Sequence, residues 1–385
     1  MYQSSITSVD ADLQQRLDRV LARAIDEERI VGAVLMVARH GELAYATATG
    51  LADREAGTPI RQGDVFRFAS LTKPIVSATA LALIERGHLA LDAPVTDWLP
   101  EFRPALPDGS RPTITIHHLL THTAGLDYRF NQPDAGPYRD LNVSDGLDQP
   151  GLSLAENIAR LGEAPLIYAP GTGWRYSLAI DVLGAVLEKA GGKPLPDLVA
   201  EYVTTPLGMT ETRFTASPDT VLVTPYADGS PRPVRMGRTH VLPFDAARIT
   251  FTPGRAYDPK SYPSGGAGMI GTAPDFLRFL QAIRQGGAPI LEPATVDLMT
   301  TVHVPPERMA VRPGVGFGYG GSVLADPATA QSPQAAGTLQ WGGVYGHNWF
   351  IDRTNGISSL LMTNTALEGM IGPLTVEVRD AVYGV

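Results

Sequence analysis

The chain contains 385 residues, carries a formal net charge of −9, and is 44% hydrophobic and 18% charged. This balance is typical of globular proteins, and the length predicts two packed domains. The negative charge argues against nucleic acid or an anionic membrane as a partner. Because there is no cysteine, disulfides, thiol catalysis and thiolate metal sites are excluded. The N-terminus lacks the apolar core of a signal peptide and no apolar run reaches about 18 residues, so we expect a cytoplasmic protein.

The first part of the chain predicts a helix followed by a hairpin. Leu13, Leu17 and Leu21 recur at the spacing of one helix face. The apolar runs at 31–38 and 43–49 flank a turn and are typical of two antiparallel strands. We therefore expect these segments to form part of a sheet with a helix packed against it.

The middle of the chain is predicted to be mainly helical. Apolar residues recur at helical spacing in several segments that end near glycine, and a Ser-x-x-Glu capping box opens a further helix. Two stretches rich in turn-forming residues, 126–151 and 214–266, are predicted to be long and irregular. The predicted helices cover 70–86, 117–123, 178–190 and 197–204, and another begins at Ser153.

The last third of the chain returns to strands, with Asn355-Gly356 as a strong hairpin signal between two apolar runs. The order of elements predicts an α+β (mixed α/β) architecture. Both ends of the chain, 1–65 and 265–385, are expected to form one sheet domain, and 66–264 a mainly helical domain, with the active site at their interface. The predicted strands are 315–324, 338–342, 350–353 and 357–362, and the predicted helices are 272–284 and 374–382.

The tetrapeptide Ser70-Leu71-Thr72-Lys73 lies where a strand-like run changes to a helical pattern. Side chains three residues apart share one helix face, with about 5–6 Å between their Cβ atoms. A desolvated lysine that has lost its proton can accept the serine hydroxyl proton, and the serine then becomes a nucleophile. Alone, the pattern is weak, because solvated helix faces often carry these two residue types.

Two further stretches could complete such a site. Tyr176 follows a glycine-rich turn and precedes a helix, where its phenol could relay a proton. Trp341-Gly342-Gly343 lies on a predicted strand, where paired glycines permit the close approach of a ligand or another backbone. Taken singly, each has an ordinary structural explanation: a buried tyrosine with a satisfied hydroxyl, and a tight bend in a sheet.

Together, these three stretches resemble the serine β-lactamase and penicillin-binding protein superfamily, in which Ser-x-x-Lys is a signature. The resemblance is greatest to the class C-like branch and, within it, to the family VIII carboxylesterases. The runs 118–126, Pro170-Gly171 and 265–268 also match this family. The resemblance implies a β-lactamase/transpeptidase-like fold, with an antiparallel sheet flanked by helices and an inserted helical domain. It also implies no metal and no organic cofactor.

The resemblance assigns roles to individual residues. Ser70 is similar to the acylated nucleophile, Lys73 to its base or the group that tunes it, and Tyr176 to the general base. The backbone N–H groups of Ser70 and Val344 correspond to an oxyanion hole. Substrate contacts are expected from Tyr128, Trp341, Gly342 and Gly343, and Asp181 either orients the basic groups or is an ordinary exposed or capping aspartate.

Departures from the family pattern bear on the substrate. Class C β-lactamases carry Lys-Thr-Gly where this chain has Trp341-Gly342-Gly343, so a charge-assisted contact is lost and an apolar surface is gained. Leu178 replaces the asparagine that contacts a β-lactam side chain. These differences predict a serine carboxylesterase that acts on small, neutral, short-chain acyl esters and requires no protein partner.

Three alternatives to the esterase remain open from the sequence. Two are enzymes of the same superfamily, a class C-like β-lactamase and a D,D-peptidase or D-aminopeptidase. The third is a non-catalytic sensor of the penicillin-binding type. Such sensors usually lack one of the serine, lysine or tyrosine, whereas all three are present here.

Other residues mimic catalytic motifs. Ser144 lies in an approximate Gly-x-Ser-x-Gly sequence but lacks the first glycine and the strand-to-helix context. His118 and His122 have zinc-helix spacing, yet Leu119 stands where the general-base glutamate belongs, so capping or packing is expected. His347, beside the glycine-rich strand, is predicted to be structural.

Overall fold

An eight-stranded sheet assembled from both ends of the chain forms the centre of the fold. The computed structural model describes residues 11–133, 135–244 and 247–385. If each strand is named by its first residue, the order of strands across the sheet is 315, 322, 339, 347, 357, 32, 42 and 58. All neighbouring strands in this sheet are antiparallel. The strands are β1 Gly32–Arg39, β2 Glu42–Asp53, β3 Thr58–Pro59, β4 Phe66–Arg67, β5 Tyr226–Ala227, β6 Val234–Arg235, β7 His240–Phe244, β8 Ala247–Phe251, β9 Ile270–Gly271, β10 Val315–Phe317, β11 Ser322–Leu324, β12 Leu339–Gly343, β13 His347–Asp352, β14 Ile357–Thr363 and β15 Thr365–Ala366.

Helices cover both faces of this sheet. Alternate residues of β1 face opposite cores: Val34 and Met36 belong to the larger core, and Leu35 and Val37 to the smaller one. A strand buried on both sides explains the unbroken apolar run in the sequence. The helices are α1 Ala11–Asp26, α2 Thr72–Glu85, α3 Ile116–Leu120, α4 Pro137–Asp140, α5 Leu154–Glu163, α6 Ala179–Gly191, α7 Leu195–Val199, α8 Ala273–Arg284, α9 Pro293–Met299, α10 Pro306–Met309, α11 Glu368–Ile371 and α12 Pro373–Tyr383.

The two cores are built from different helices. The terminal helices α1 and α12 pack together on one face, where Leu13, Leu17 and Leu374 are fully buried. On the other face, α8 packs against β1, β13 and β14, and the larger core continues into α2 and α6. The expected antiparallel sheet flanked by helices is confirmed, whereas the domain boundaries at 65 and 265 stay a prediction.

Two predictions about secondary structure are wrong in detail. The stretch 315–324 is two strands, β10 and β11, because Gly320 has a positive φ of 91° and turns the chain between them. The stretch 214–266 contains β5 to β8. These strands are short, and tertiary contacts through residues such as Leu242, Ile249 and Phe251 stabilise them more than local pattern does.

The helix α2 is apolar around nearly its whole circumference and is buried from Thr72 to Leu83. A 3₁₀ turn over Ala69–Leu71 precedes it, so the predicted helix at 70–86 is confirmed with a tighter first turn. Within the described ranges, no helix combines the length and apolar character needed to cross a membrane.

Candidate active site

The candidate nucleophile lies on a strained turn at the start of α2. Ala69, immediately before Ser70, has a φ of 45°, in the left-handed region that non-glycine residues rarely adopt. The turn is fixed by hydrogen bonds from Phe68 N–H to the Met269 carbonyl and from Leu71 N–H to the Phe68 carbonyl, at 2.9 and 3.2 Å. Such strain persists where the surrounding structure holds it, often at functional sites.

Lys73 lies one helical turn beyond Ser70 and is almost completely buried, with 1% of its surface exposed. Its Nζ donates hydrogen bonds to Ser70 Oγ at 3.2 Å and to the Gly266 carbonyl at 2.7 Å. No carboxylate oxygen of a described residue lies within ion-pair distance of Nζ. The sequence expectation that the serine and lysine share one helix face therefore agrees with the geometry.

Tyr176 approaches Ser70 from a different segment of the chain. Its hydroxyl donates to Ser70 Oγ at 2.7 Å and accepts a hydrogen bond from Trp341 Nε1 at 3.1 Å. The Tyr176 and Trp341 rings pack with centroids 5.1 Å apart, and Lys73 Nζ lies 4.6 Å from the centre of the Tyr176 ring. Ser70 Oγ thus contacts both groups that the sequence predicts to transfer protons, the Tyr176 hydroxyl and Lys73 Nζ.

Strand β12 passes close to the turn that carries Ser70. A Cβ atom added to Gly343 would lie 2.6 Å from the Phe68 carbonyl oxygen and 2.9 Å from Leu71 Cδ1. The backbone N–H groups of Ser70 and Val344 donate no hydrogen bond to any residue in the described ranges. Both donors border the same cavity, as an oxyanion hole requires.

Gly343→Ala is expected to lower stability by about 1–3 kcal/mol, as other overpacked core substitutions do. The added methyl group must push β12 away from Ser70, so any reaction that depends on Ser70 is expected to slow as stability falls. Denaturant unfolding measures the stability, and labelling of Ser70 by a fluorophosphonate probe measures its reactivity. Gly63→Ala is the control, because a Cβ at Gly63 meets no atom within 4 Å; equal stability of the two variants would contradict the close approach.

Asp181 is fully buried near Lys73. It is therefore not an exposed aspartate, and its carboxylate caps no helix. Both of its carboxylate oxygens lack a hydrogen-bonding partner among the described residues. Burial raises the pKa of Asp181, while the nearby charge of Lys73 opposes the shift. A Cβ atom on Gly266 would lie only 2.5 Å from Oδ2, so glycine is required where the Gly266 carbonyl meets Lys73.

Tyr128 completes the aromatic wall around these groups. Its ring stacks on Phe130 with centroids 4.6 Å apart and lies 5.4 Å from the Tyr176 ring. Burial, followed by the nearby Tyr176 and Asp181, raises the pKa of Tyr128 well above its usual value. Tyr128 is therefore an uncharged phenol. It can contact a ligand in the site, and its ring adds to the apolar surface beside Ser70.

A cavity of about 630 Å³ opens beside Ser70. Aromatic and aliphatic side chains dominate its walls, which is typical of a site for a small organic ligand. Val344, Trp341 and Gly342 line it as the sequence predicts, while Gly343 lies behind the wall, against the Ser70 turn. Further walls that sequence reasoning missed come from Phe244, Ile249, Met309, Ile371 and Val376.

Buried carboxylates organise the predicted loop 126–151, which also contains the short helix α4. Asp127 accepts a hydrogen bond from Arg175 Nε at 3.0 Å, and Asp145 accepts the backbone N–H groups of Arg129 and Phe130 at 2.7 and 3.0 Å. Burial and, second, the charge of Asp148 raise the pKa of Asp145 to about 8. The signal available in the sequence was the presence of several aspartates, Asp127, Asp145 and Asp148 among them, within this stretch.

The residues that mimic other motifs have structural partners. Ser144 is fully buried, and its Oγ donates to Asp148 Oδ1 at 2.6 Å. His118 caps α3, and His122 Nδ1 accepts the Ser177 N–H at 3.2 Å. His347 Nε2 lies 2.8 Å from the Arg67 carbonyl, and burial lowers its pKa to about 4. No metal-ligating cluster of three acidic, histidine or cysteine side chains occurs among the described residues.

Similar proteins of known name match nearly the whole length of this chain. Esterase EstB of Burkholderia gladioli is 54% identical over 376 residues, which cover 97% of this chain and 96% of that protein. The structure of EstCE1, described as a hydrolase with promiscuous acyltransferase activity, has a TM-score of 0.95 and 47% identity, with coverage of 97% and 99%. A simvastatin synthase (LovD) mutant from Aspergillus terreus shares the fold, with a TM-score of 0.77, 24% identity and coverage of 100% and 98%.

A family model described as Beta-lactamase matches residues 17–379, nearly the whole chain. Its span includes the Ser-x-x-Lys turn, the tyrosine segment and the Trp-Gly-Gly strand. The β-lactamase/transpeptidase-like fold expected from these motifs is thereby confirmed, and the chain belongs to the Beta-lactamase family.

Proposed function

We propose that this protein is a serine carboxylesterase that hydrolyses short-chain acyl esters through an acyl-enzyme on Ser70. The observation that carries the proposal is the contact of Ser70 Oγ with both Tyr176 and Lys73 at the wall of an apolar cavity. Similarity to an esterase at 54% identity supports ester hydrolysis as the reaction. The cytoplasmic location expected from the sequence stays a prediction.

The first half-reaction forms the acyl-enzyme. Ser70 Oγ attacks the ester carbonyl carbon while its proton passes to the pair of Tyr176 and Lys73, which enters the step with one proton fewer than a phenol and an ammonium group hold together. The backbone N–H groups of Ser70 and Val344 donate to the carbonyl oxygen as it becomes negative. The tetrahedral intermediate then expels the alcohol, which takes the proton from Tyr176, and the acyl group remains on Ser70.

The second half-reaction releases the acid. A water molecule gives a proton to Tyr176 and attacks the acyl carbon, and Ser70 Oγ leaves with that proton. Lys73 donates to the Gly266 carbonyl as well as to Ser70 Oγ, so its Nζ is held in one position through both halves. The chain, the ester and one water molecule together balance the protons.

The walls of the cavity support a neutral, apolar ester as substrate. Trp341 stands where class C β-lactamases have a lysine, and its indole N–H is engaged with Tyr176 rather than with a substrate carboxylate. Arg175 lines the cavity but is paired with Asp127. These features favour the esterase over a β-lactamase or a D-alanyl peptidase.

The test compares p-nitrophenyl butyrate, nitrocefin and a D-alanyl-D-alanine peptide as substrates. We expect the ester to be turned over with a kcat/KM far above those of the other two. Faster ring opening of nitrocefin would contradict the assignment. Failure of a fluorophosphonate probe to label the protein, together with no turnover of any substrate, would instead support a non-catalytic sensor.

Trp341→Phe is expected to lower kcat about 5- to 10-fold with little change in KM, because one hydrogen bond contributes about 1 kcal/mol net. Phenylalanine keeps the aromatic wall but removes the N–H that lies 3.1 Å from the Tyr176 hydroxyl. Steady-state kinetics with p-nitrophenyl butyrate measure the effect. Trp98→Phe, at a half-buried residue outside the cavity, is the control; a KM change without a kcat change would show that Trp341 acts through substrate binding alone.

A further inference from the structure

The cavity beside Ser70 is lined by two separate groups of apolar side chains. The first group belongs to the hydrophobic cluster around β7 and β8, and we call it the strand lobe; it contains Leu147, Phe244, Ile249 and Ala267. The second group belongs to the cluster around Phe317, and we call it the tryptophan lobe; it contains Trp174, Met309 and Trp341. Among the described residues the two clusters share no member, so the cavity has two distinct apolar sides.

The strand lobe is bounded by buried side chains on a fixed backbone. Ile249 of β8 is 2% exposed, and its partner across the ladder is the buried Leu242 of β7. The end of β8 is tied to the loop 126–151, because the Thr252 N–H donates to the Leu147 carbonyl at 2.9 Å. A group that enters this lobe therefore meets a closed wall at Ile249, and its length is limited.

The tryptophan lobe, in contrast, continues to the surface of the protein. The rings of Trp174 and Trp341 pack against Phe317, with centroids 5.5 and 5.4 Å apart. Met309 ends α10, and Val311, two residues further along, lines the same cavity while 59% of its surface is exposed. A group that enters this lobe can therefore extend past the tryptophans toward solvent.

The chemistry of the reaction decides which half of the ester occupies which lobe. Because the leaving alcohol takes its proton from Tyr176, its oxygen must lie within hydrogen-bonding reach of the Tyr176 hydroxyl. That hydroxyl accepts from Trp341 Nε1 at 3.1 Å, so the alcohol leaves on the side of the tryptophan lobe. Val344, an oxyanion donor, belongs to the cluster of the strand lobe. The bonds of a tetrahedral carbon diverge, so the acyl chain points away from the alcohol and toward the strand lobe.

We propose that Ile249 determines the length of the acyl group, because it closes the strand lobe in which the acyl chain binds. The tryptophan lobe binds the alcohol and accepts a longer one, with Met309 as part of its wall. The substrate class that follows is an ester of a short acid with a longer, apolar alcohol. This inference rests on the proposed function and adds to it the direction in which the ester binds.

The first test varies the acid. The ratio of kcat/KM for p-nitrophenyl octanoate to that for p-nitrophenyl butyrate is expected to rise about 10-fold in Ile249→Ala, since each methylene group that becomes buried contributes about fourfold. A ratio measured within one variant does not depend on how much of the protein is folded. Ile283→Ala is the matched control, because Ile283 is fully buried in α8 and outside the cavity. An unchanged ratio in Ile249→Ala, or an equal rise in the control, would overturn the proposal.

The second test varies the alcohol. The ratio of kcat/KM for octyl acetate to that for ethyl acetate is expected to fall about fivefold in Met309→Ala, which removes apolar contacts from the tryptophan lobe, and to stay unchanged in Ile249→Ala. If Ile249→Ala changed the alcohol ratio and Met309→Ala the acyl ratio, the ester would bind in the opposite direction and the proposal would fail. A native chain that hydrolysed neither series would contradict the proposed function itself, whereas hydrolysis of both with unchanged ratios in the variants would contradict this inference alone.

Discussion

Replacing Lys73 with methionine is expected to lower kcat for p-nitrophenyl butyrate by about 10³- to 10⁴-fold, toward the upper end of the range for general acid–base groups. Methionine fills the same buried volume but has no nitrogen to contact Ser70 Oγ at 3.2 Å or the Gly266 carbonyl at 2.7 Å. The serine proton then loses one of its two acceptor groups. The effect should appear in kcat, because Lys73 lies behind Ser70 and outside the cavity wall.

A loss of stability must be distinguished from a loss of catalysis in Lys73→Met. Lys193→Met is the matched control, because Lys193 is exposed and pairs with Glu201 at the surface; its kinetics and unfolding midpoint should equal those of the native chain. The Gly266 carbonyl loses a donor in Lys73→Met, so a lower unfolding midpoint is expected there. A folded Lys73→Met protein that retained a tenth of the native kcat would refute the role of Lys73.

Tyr176→Phe is expected to lower kcat by about 10²- to 10³-fold, again within the range for general acid–base catalysis. The substitution removes the hydroxyl that lies 2.7 Å from Ser70 Oγ and 3.1 Å from Trp341 Nε1. The ring contacts with Trp341 and His122, at 5.1 and 4.8 Å between centroids, remain. KM is therefore expected to change much less than kcat.

The control for this substitution is Tyr202→Phe, at a half-buried tyrosine that packs on Arg86 and does not line the cavity. It should leave both kinetic parameters unchanged. Single-turnover experiments then separate acylation from deacylation, and both steps should slow in Tyr176→Phe if one phenol serves both half-reactions. A loss confined to KM would show that Tyr176 positions substrate and takes no part in proton transfer.

The sequence predicted some parts of the site because they are local. Ser70 and Lys73 lie three residues apart on one helix, so their contact follows from helix geometry alone. Tyr176 is separated from Ser70 by 106 positions and Trp341 from Tyr176 by 165. Their meeting could not be derived from spacing, and only the resemblance to a known family brought them together.

Other parts were hidden because they depend on tertiary packing. Strands β7 and β8 were predicted to be irregular, yet they place Phe244 and Ile249 at the cavity wall. The burial of Asp181 depends on the close approach of Gly266, a contact between distant segments.

The measurement that tests the central claim most directly is the mass of the intact protein after reaction with a fluorophosphonate and with a slowly hydrolysed ester. We predict one adduct per chain, localised by peptide mapping to Ser70. The adduct should be absent in Ser70→Ala and retained in Ser144→Ala, because Ser144 is buried and hydrogen-bonded to Asp148. An adduct on another residue, or ester turnover that persists in Ser70→Ala, would contradict the account.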